Sequence, residues 1–241
     1  MNNPINNTNA LIKREWIEAC FDETLSYKEL QQYAMDGEEF DAKYQGVDFA
    51  FSDRITADRS AFVSIGKVGE SYYVFDCQTA KGLSVNEQLN MIKDVHHAKY
   101  RYDQIGLEEN SIKAISKDIS KFNLPITLFW TSSSDPSKSR TDYKDYDYLG
   151  KRHTVGKINL IMRLGTAFEN GQFVLPYKTE QDKKISDEIL AECISYALSD
   201  GKLVEASVHP DIPIGLGYAL ELINNMKHVY FDYGEEVEDD N

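Results

Sequence analysis

The chain of 241 residues carries 26 basic against 40 acidic side chains, a formal charge of −14, with 41% hydrophobic and 27% charged residues. That length buries a full core and that balance belongs to a folded domain exposed to water. No apolar run approaches the roughly 18 residues of a membrane span, which excludes a helical membrane protein. The opening stretch MNNPINNTNALIKREW lacks the basic and apolar regions of a secretory signal, so the expected compartment is the cytoplasm. Cys20, Cys77 and Cys193 have no paired spacing, which argues against a zinc knuckle, a redox CxxC or a disulfide framework. Adjacent His96 and His97 do not share a helix face as an i, i+4 pair would, and read as surface or helix-end residues.

Taken in chain order, residues 1–43 read as a polar lead-in with helices over 11–21 and 27–35, ending in the acidic MDGEEFD. Three runs rich in β-branched and aromatic residues follow at 44–51, 60–68 and 71–77, the last two separated by a glycine turn at Gly69, which predicts an antiparallel meander. Ser84 with Glu87 three residues on is a capping box, and Leu89, Ile92 and Val95 continue at helical spacing to about residue 99. A short strand over 105–107, ending in Glu108 and Glu109, precedes a helix over 111–122; a buried strand over 125–130 then opens a long polar loop.

Helices over 155–168 and 184–198 flank a strand over 172–175, and a last helix runs over 212–226, introduced by His209, Pro210 and Asp211. The order βββαβαβα predicts an α/β domain over 44–230, with a mixed sheet of a three-strand antiparallel meander plus parallel strands, flanked by helices. Residues 231–241 read as an acidic, solvated tail.

Charge is unevenly spread. Removing Glu235, Glu236, Glu238, Asp239 and Asp240 takes the formal −14 to −9. Between Lys138 and Arg163, the seven bases Lys138, Arg140, Lys144, Lys151, Arg152, Lys157 and Arg163 outnumber Asp142, Asp145 and Asp147. An acidic protein lacks the usual footprint of a nucleic-acid binder, but this segment is locally basic.

Asp48 interrupts the apolar strand GVDFAF, where an aspartate is disfavoured unless it is paired or liganded. If the strand ending at Glu108 enters the sheet by a crossover beside the first strand, the C-terminal ends of the two meet and Asp48 neighbours Glu108. Alternation puts Glu108 and Glu109 on opposite faces, so only one of them is expected as a ligand. Asp211 starts a late helix that can pack across the same edge. Three carboxylates brought together suit a hard cation such as Mg²⁺ or Mn²⁺ and phosphodiester hydrolysis, with a two-metal site able to activate water and stabilise the leaving oxygen. A strand-end aspartate hydrogen-bonded to a turn is the competing reading of Asp48.

The segments GVDFAFSDRITADRSAFVSIG, IGLEEN, KINLIMRLGTAFENGQFVLP and HPDIPIGLGYALEL together resemble the C-terminal nuclease domain of tailed-bacteriophage terminase large subunits, over about residues 44–226. The resemblance implies an RNase H-like fold and a Mg²⁺- or Mn²⁺-dependent endonuclease that cuts concatemeric double-stranded viral DNA during packaging, in the cytoplasm of the infected host. It places the family's acids on Asp48, Glu108 and Asp211 as catalytic metal ligands, with Asp58, Glu109 and His209 as assisting positions. Pro210 stands where the family's late motif carries a further aspartate. The loop residues Lys138, Arg140, Lys144, Lys151 and Arg152, together with Lys157, are expected to meet DNA phosphates.

The family also implies a terminase ATPase domain or subunit, a small terminase subunit and a portal as partners. This chain has no GxxxxGK[ST] phosphate loop, GKVGES reading as a hairpin turn, so it is not expected to hydrolyse ATP and reads as an excised domain or a split-gene product. The alternatives are a resolvase-like nuclease acting on branched DNA and a non-catalytic interaction module of a packaging motor.

Overall fold

Ser60–Val68 and Ser71–Ala80 hold the two longest strands of the sheet, joined by the tight turn at Gly69, whose φ of +57° is one that side chains other than glycine rarely adopt. The computed structural model describes residues 10–37, 39–50, 59–108, 119–132, 153–199, 202–205 and 210–229. Most of the helix expected over 111–122, the basic loop and the acidic tail lie outside the described residues.

Among the described residues an eight-stranded sheet runs β1-β8-β4-β3-β2-β5-β6-β7. Its strands are β1 (Phe21–Asp22), β2 (Ala42–Asp48), β3 (Ser60–Val68), β4 (Ser71–Ala80), β5 (Gln104–Glu108), β6 (Ile126–Ser132), β7 (His153–Gly156) and β8 (Phe173–Pro176). The expected meander is β2, β3 and β4, paired antiparallel. β5 pairs parallel with β2, β6 with β5 and β7 with β6. Four parallel strands therefore end at one edge, where Asp48, Glu108, Ser132 and Gly156 lie. β9 (Tyr196–Ser199) and β10 (Lys202–Glu205) form a separate hairpin.

The helices are α1 (Arg14–Glu18), α2 (Tyr27–Asp36), α3 (Val85–Asn90), α4 (Ala98–Tyr100), α5 (Lys157–Glu169), α6 (Glu180–Cys193) and α7 (Ile212–Val229), with a π-helical stretch Met91–His97 joining α3 to α4. Ser84 caps α3 as its spacing predicts: its hydroxyl accepts from Glu87 N–H, and the Glu87 carboxylate accepts from Ser84 N–H at 2.8 Å.

Three expectations are corrected. The helix expected over 11–21 shrinks to α1 because Phe21 and Asp22 pair in parallel with Leu175 and Pro176, so part of the N-terminal segment becomes an edge strand of the sheet. The helix expected over 184–198 begins earlier and stops at Cys193, since Tyr196–Ser199 finds a strand partner in Lys202–Glu205. The start of the helix expected over 155–168 is strand, β7, and α5 begins at Lys157.

Strand alternation sorts the core into two layers. Tyr44, Ala61, Val63 and Ile65 join α5, α6 and α7 on one face, whereas Val47, Phe62, Ile105 and Leu107 join α2 and α3 on the other. Residues 210–223 are buried without interruption, which is why IPIGLGYALELI is apolar on nearly every side, its one charge, Glu221, being paired with Arg163: the helix lies between sheet and helices.

Candidate metal centre

The register of β2 and β5 brings the first two carboxylates together. Val47 stands beside Leu107 in a parallel pair, so the next residues, Asp48 and Glu108, are neighbours at the C-terminal ends of adjacent strands. Adjacent strands run about 4.8 Å apart, and residues in register share a face. Val47 and Leu107 belong to the α2/α3 layer, so alternation turns Asp48 and Glu108 toward the layer that holds α7. Both are half-buried, and each has interaction partners.

Two glycines bring α7 onto those strands. A Cβ on Gly46 would lie 1.8 Å from the carbonyl oxygen of Gly215 and 2.6 Å from the amide of Ala219. A Cβ on Gly106 would lie 2.8 Å from the Phe129 ring and 3.2 Å from the Tyr218 Cβ. Only a side-chain-free surface on β2 and β5 admits the helix this closely, and the approach carries the start of α7 to the sheet edge. Gly215 in turn faces the carbonyl of Ala61, the residue paired with Asp48.

Asp211, immediately before α7, is 8% exposed, and its carbonyl accepts from Gly215 N–H at 3.2 Å. Its neighbours are anchored on both sides. Tyr196 Oη donates to the Pro210 carbonyl at 3.0 Å, and Ile212 N–H donates to Glu192 Oε2 at 2.8 Å. Arg59, just before β3, pairs with Glu188 at 2.5 Å and with Glu192, and its Nε lies 3.6 Å from Asp211 Oδ2. The Tyr196 phenol is raised far above its ordinary value by burial first, then by the negative charges of Glu205, Asp48 and Asp211, among others. Asp48 and Asp211 therefore act on one buried hydroxyl.

Asp48 and Glu108 come together in register, and Asp211 shares their face and their end of the sheet. Among the described residues, no three or more His, Cys, Asp or Glu side chains close into a metal-holding group. The donors are nonetheless of the right kind. They are hard carboxylate oxygens at strand ends, and the nearby Arg59 guanidinium is already engaged by Glu188 and Glu192, which suits a hard divalent cation better than a soft metal.

Asp58, Glu109, His209, Lys138, Arg140, Lys144, Lys151 and Arg152 lie outside the described residues. Lys157, the first residue of α5, sits at the edge where the parallel strands end; its ammonium is 2.7 Å from Glu205 and 5.5 Å from the Tyr196 ring centroid. Arg59, Glu188, Glu192, Tyr196 and Glu205 were not among the expected site residues. One signal was available for the glutamates, since Glu188 and Glu192 stand four apart on a single helix face. Nothing local marks Arg59 or Tyr196.

The family model described as the terminase RNase H-like domain matches residues 45–220. The large terminase nuclease of thermophilic phage G20c is 18% identical, with 75% of this chain and 81% of that one covered at a TM-score of 0.51. The same nuclease is also known with bound magnesium and with bound cobalt, each 16% identical at a TM-score of 0.51. The human cytomegalovirus terminase nuclease domain, soaked in manganese with an inhibitor bound, is 13% identical over 91% of this chain and 97% of that one, at a TM-score of 0.52. The large terminase of a second thermophilic bacteriophage is 11% identical, covering 90% of this chain but 46% of that one, at a TM-score of 0.53. No curated protein sequence matches the chain significantly. The solved structures share the RNase H-like arrangement of this mixed sheet and its helices.

Proposed function

Because the chain belongs to the terminase RNase H-like domain family, we propose that it is a metal-dependent endonuclease that hydrolyses double-stranded DNA during phage genome packaging. The observation that carries this reading is the register of β2 and β5, which makes Asp48 and Glu108 neighbours on the face that receives α7 and Asp211. Asp48, Glu108 and Asp211 would hold Mg²⁺ or Mn²⁺, with Asp58, Glu109 and His209 as further candidates at a two-ion site. A bound ion would polarise the phosphate and lower the pKa of the attacking water. The relatives known with magnesium, cobalt or manganese support this choice of cation class.

The protein's own groups orient. Buried Asp211 presents its carboxylate from an anchored backbone, beside the half-buried strand-end acids. Water would add to phosphorus, one P–O bond of the phosphodiester would break, and the departing oxygen would take up the proton that the water gives up. No protein nucleophile is consumed. Lys157 and the basic residues Lys138, Arg140, Lys144, Lys151 and Arg152 would meet backbone phosphates; the basic segment starts just beyond Ser132, where β6 ends at the same edge. A terminase ATPase domain or subunit, a small subunit and a portal would direct where cutting occurs.

The test is plasmid nicking with Mn²⁺ by the wild-type chain and by Asp48→Ala. Cutting by the wild type and none by the variant supports the reading, and equal activity in both ends it. The net charge of −14 and the absence of a closed three-residue group among the described residues favour a second reading, a non-catalytic packaging-motor module. That reading requires calorimetry to find no saturable Mn²⁺ binding.

A further inference from the structure

We propose that Arg59 and Glu192 form a positioning pair that holds Asp211 in its metal-binding attitude; the inference rests on the nuclease reading above and adds two residues to its site. Glu192 is 7% exposed, and a carboxylate buried to that degree is costly unless it is paired. One oxygen accepts from Ile212 N–H at 2.8 Å, and the other faces the Arg59 guanidinium. The carboxylate thereby fills the role of an N-cap supplied from another helix, taking up one of the amides that the first turn of α7 leaves without an intrahelical partner.

Arg59 spans three carboxylates with its three nitrogens. Nη1 takes Glu188 at 2.5 Å, Nη2 takes Glu192, and Nε lies 3.6 Å from Asp211 Oδ2. A planar fork holds three acceptors at fixed angles, which a lysine ammonium, a point charge on a flexible stem, does not. Because one guanidinium meets three acids, its charge is consumed locally, and the group stays net negative toward the edge where Asp48 and Glu108 lie. The dominant consequence of removing Arg59 is therefore loss of position, not relief of charge competition at Asp211. Without it, Glu192 would be an unpaired buried carboxylate that must protonate or swing outward, and the first turn of α7 would lose its anchor on the Ile212 side. Tyr196, donating to the Pro210 carbonyl at 3.0 Å, holds the other side of Asp211 and leaves that residue as the point about which the carboxylate would turn.

The test uses the full chain, with Mn²⁺ as probe, in the wild type, Arg59→Gln, Glu192→Gln, the double variant and Arg59→Lys. Glu192→Gln keeps an acceptor for Ile212 N–H, so it preserves the helix start and carries the test by itself if Arg59→Gln fails to fold. Calorimetry should find Mn²⁺ binding weakened roughly 10- to 100-fold in each single variant, the range for partners of metal ligands. The double variant should be no weaker than either single, because both changes break one device. Arg59→Lys should recover only part of the affinity; in EDTA the melting midpoint of Glu192→Gln should stay close to wild type, whereas Arg59→Gln, which leaves Glu192 buried without its cation, should melt lower.

At saturating Mn²⁺, nicking by Arg59→Gln should approach the wild-type rate, with the loss appearing in the Mn²⁺ concentration required. Wild-type affinity in Arg59→Gln overturns the inference. So do tighter binding, which would make Arg59 a competitor of the metal, fully additive losses, and a fall no larger than the loss of folded protein. If the wild type itself binds no Mn²⁺ and nicks no DNA, the nuclease reading fails first, and that result is distinct from each of these.

Discussion

Gly46 and Gly215 touch backbone to backbone: a Cβ on Gly46 would sit 1.8 Å from the Gly215 carbonyl oxygen. That contact sets how far α7 can descend on the sheet, and with it where Asp211 stands relative to Asp48. Gly46→Ala cannot be absorbed by a flexible side chain, because the obstructing atoms belong to the helix backbone. The variant should lose about 3 kcal/mol or more in urea denaturation, at the upper end of overpacking costs. Gly69→Ala is the control. Its surroundings are open and only its φ of +57° is strained, so it should cost about 1–2 kcal/mol and leave Mn²⁺ binding unchanged.

Asp48→Ala should lose Mn²⁺ affinity by more than the roughly 10- to 100-fold that removal of an outer partner costs, because it deletes a proposed ligand itself. In EDTA the same variant should be as stable as the wild type or more so, since one of two neighbouring carboxylates has gone. Parallel calorimetry and melting curves check both halves.

Stability should fall as pH drops from about 6.5 toward 4, owing to His96. Its ring is 1% exposed, its Nδ1 faces the Gln45 amide at 2.7 Å, and burial first, then the Lys99 charge, lowers its pKa to about 4. The unfolded chain, with His96 near 6.5, binds the proton that the folded chain refuses, so stability is full above pH 6.5 and drains through that window. The ceiling is about 3 kcal/mol. Asp76, whose buried carboxyl is raised, acts in the opposite sense. Glu29, lowered to about 2 chiefly by Lys178, loses its contribution only at lower pH. The difference between wild type and His96→Gln in denaturation at pH 7, 6, 5 and 4 isolates the histidine; parallel curves would rule out this assignment.

Lys157 and Glu205 form a partly exposed pair at 2.7 Å, of the kind that contributes about 1 kcal/mol or less to stability. Glu205→Gln should free the ammonium and tighten DNA binding, measured by fluorescence anisotropy. Lys157→Ala should weaken binding on every sequence and lower the slope of log affinity against log salt by about one. An unchanged salt slope would remove Lys157 from the DNA face.

Wherever chemistry repeats along the chain, the element was legible. A run rich in β-branched and aromatic residues gave the bounds of β3 at Ser60 and Val68, and the Ser84–Glu87 spacing announced the start of α3. Asp48 and Glu108 near strand ends could likewise be read from GVDFAF and IGLEEN, although the strand expected over 44–51 stops at Asp48, with Phe49 and Ala50 outside it. Short strands could not. Phe21–Asp22 and Tyr196–Ser199 carry too few residues to show a period, and they become strands through Leu175, Pro176 and Lys202–Glu205. The π-helical stretch at Met91–His97 was equally hidden, since its apolar spacing matches that of an ordinary helix.

By itself the sequence determined the mixed sheet, the order of its main elements and the acids that end its central strands, because periodicity and capping act between residues close along the chain. Only the tertiary structure decided that Arg59 would meet Glu188, Glu192 and Asp211, that Glu192 would cap a helix it does not belong to, and that Lys157 would face Glu205. Those partners come from segments far apart in the chain, and their meeting depends on how closely α7 descends onto Gly46 and Gly106. That closeness is a property of two packed surfaces, and neither segment carries it alone.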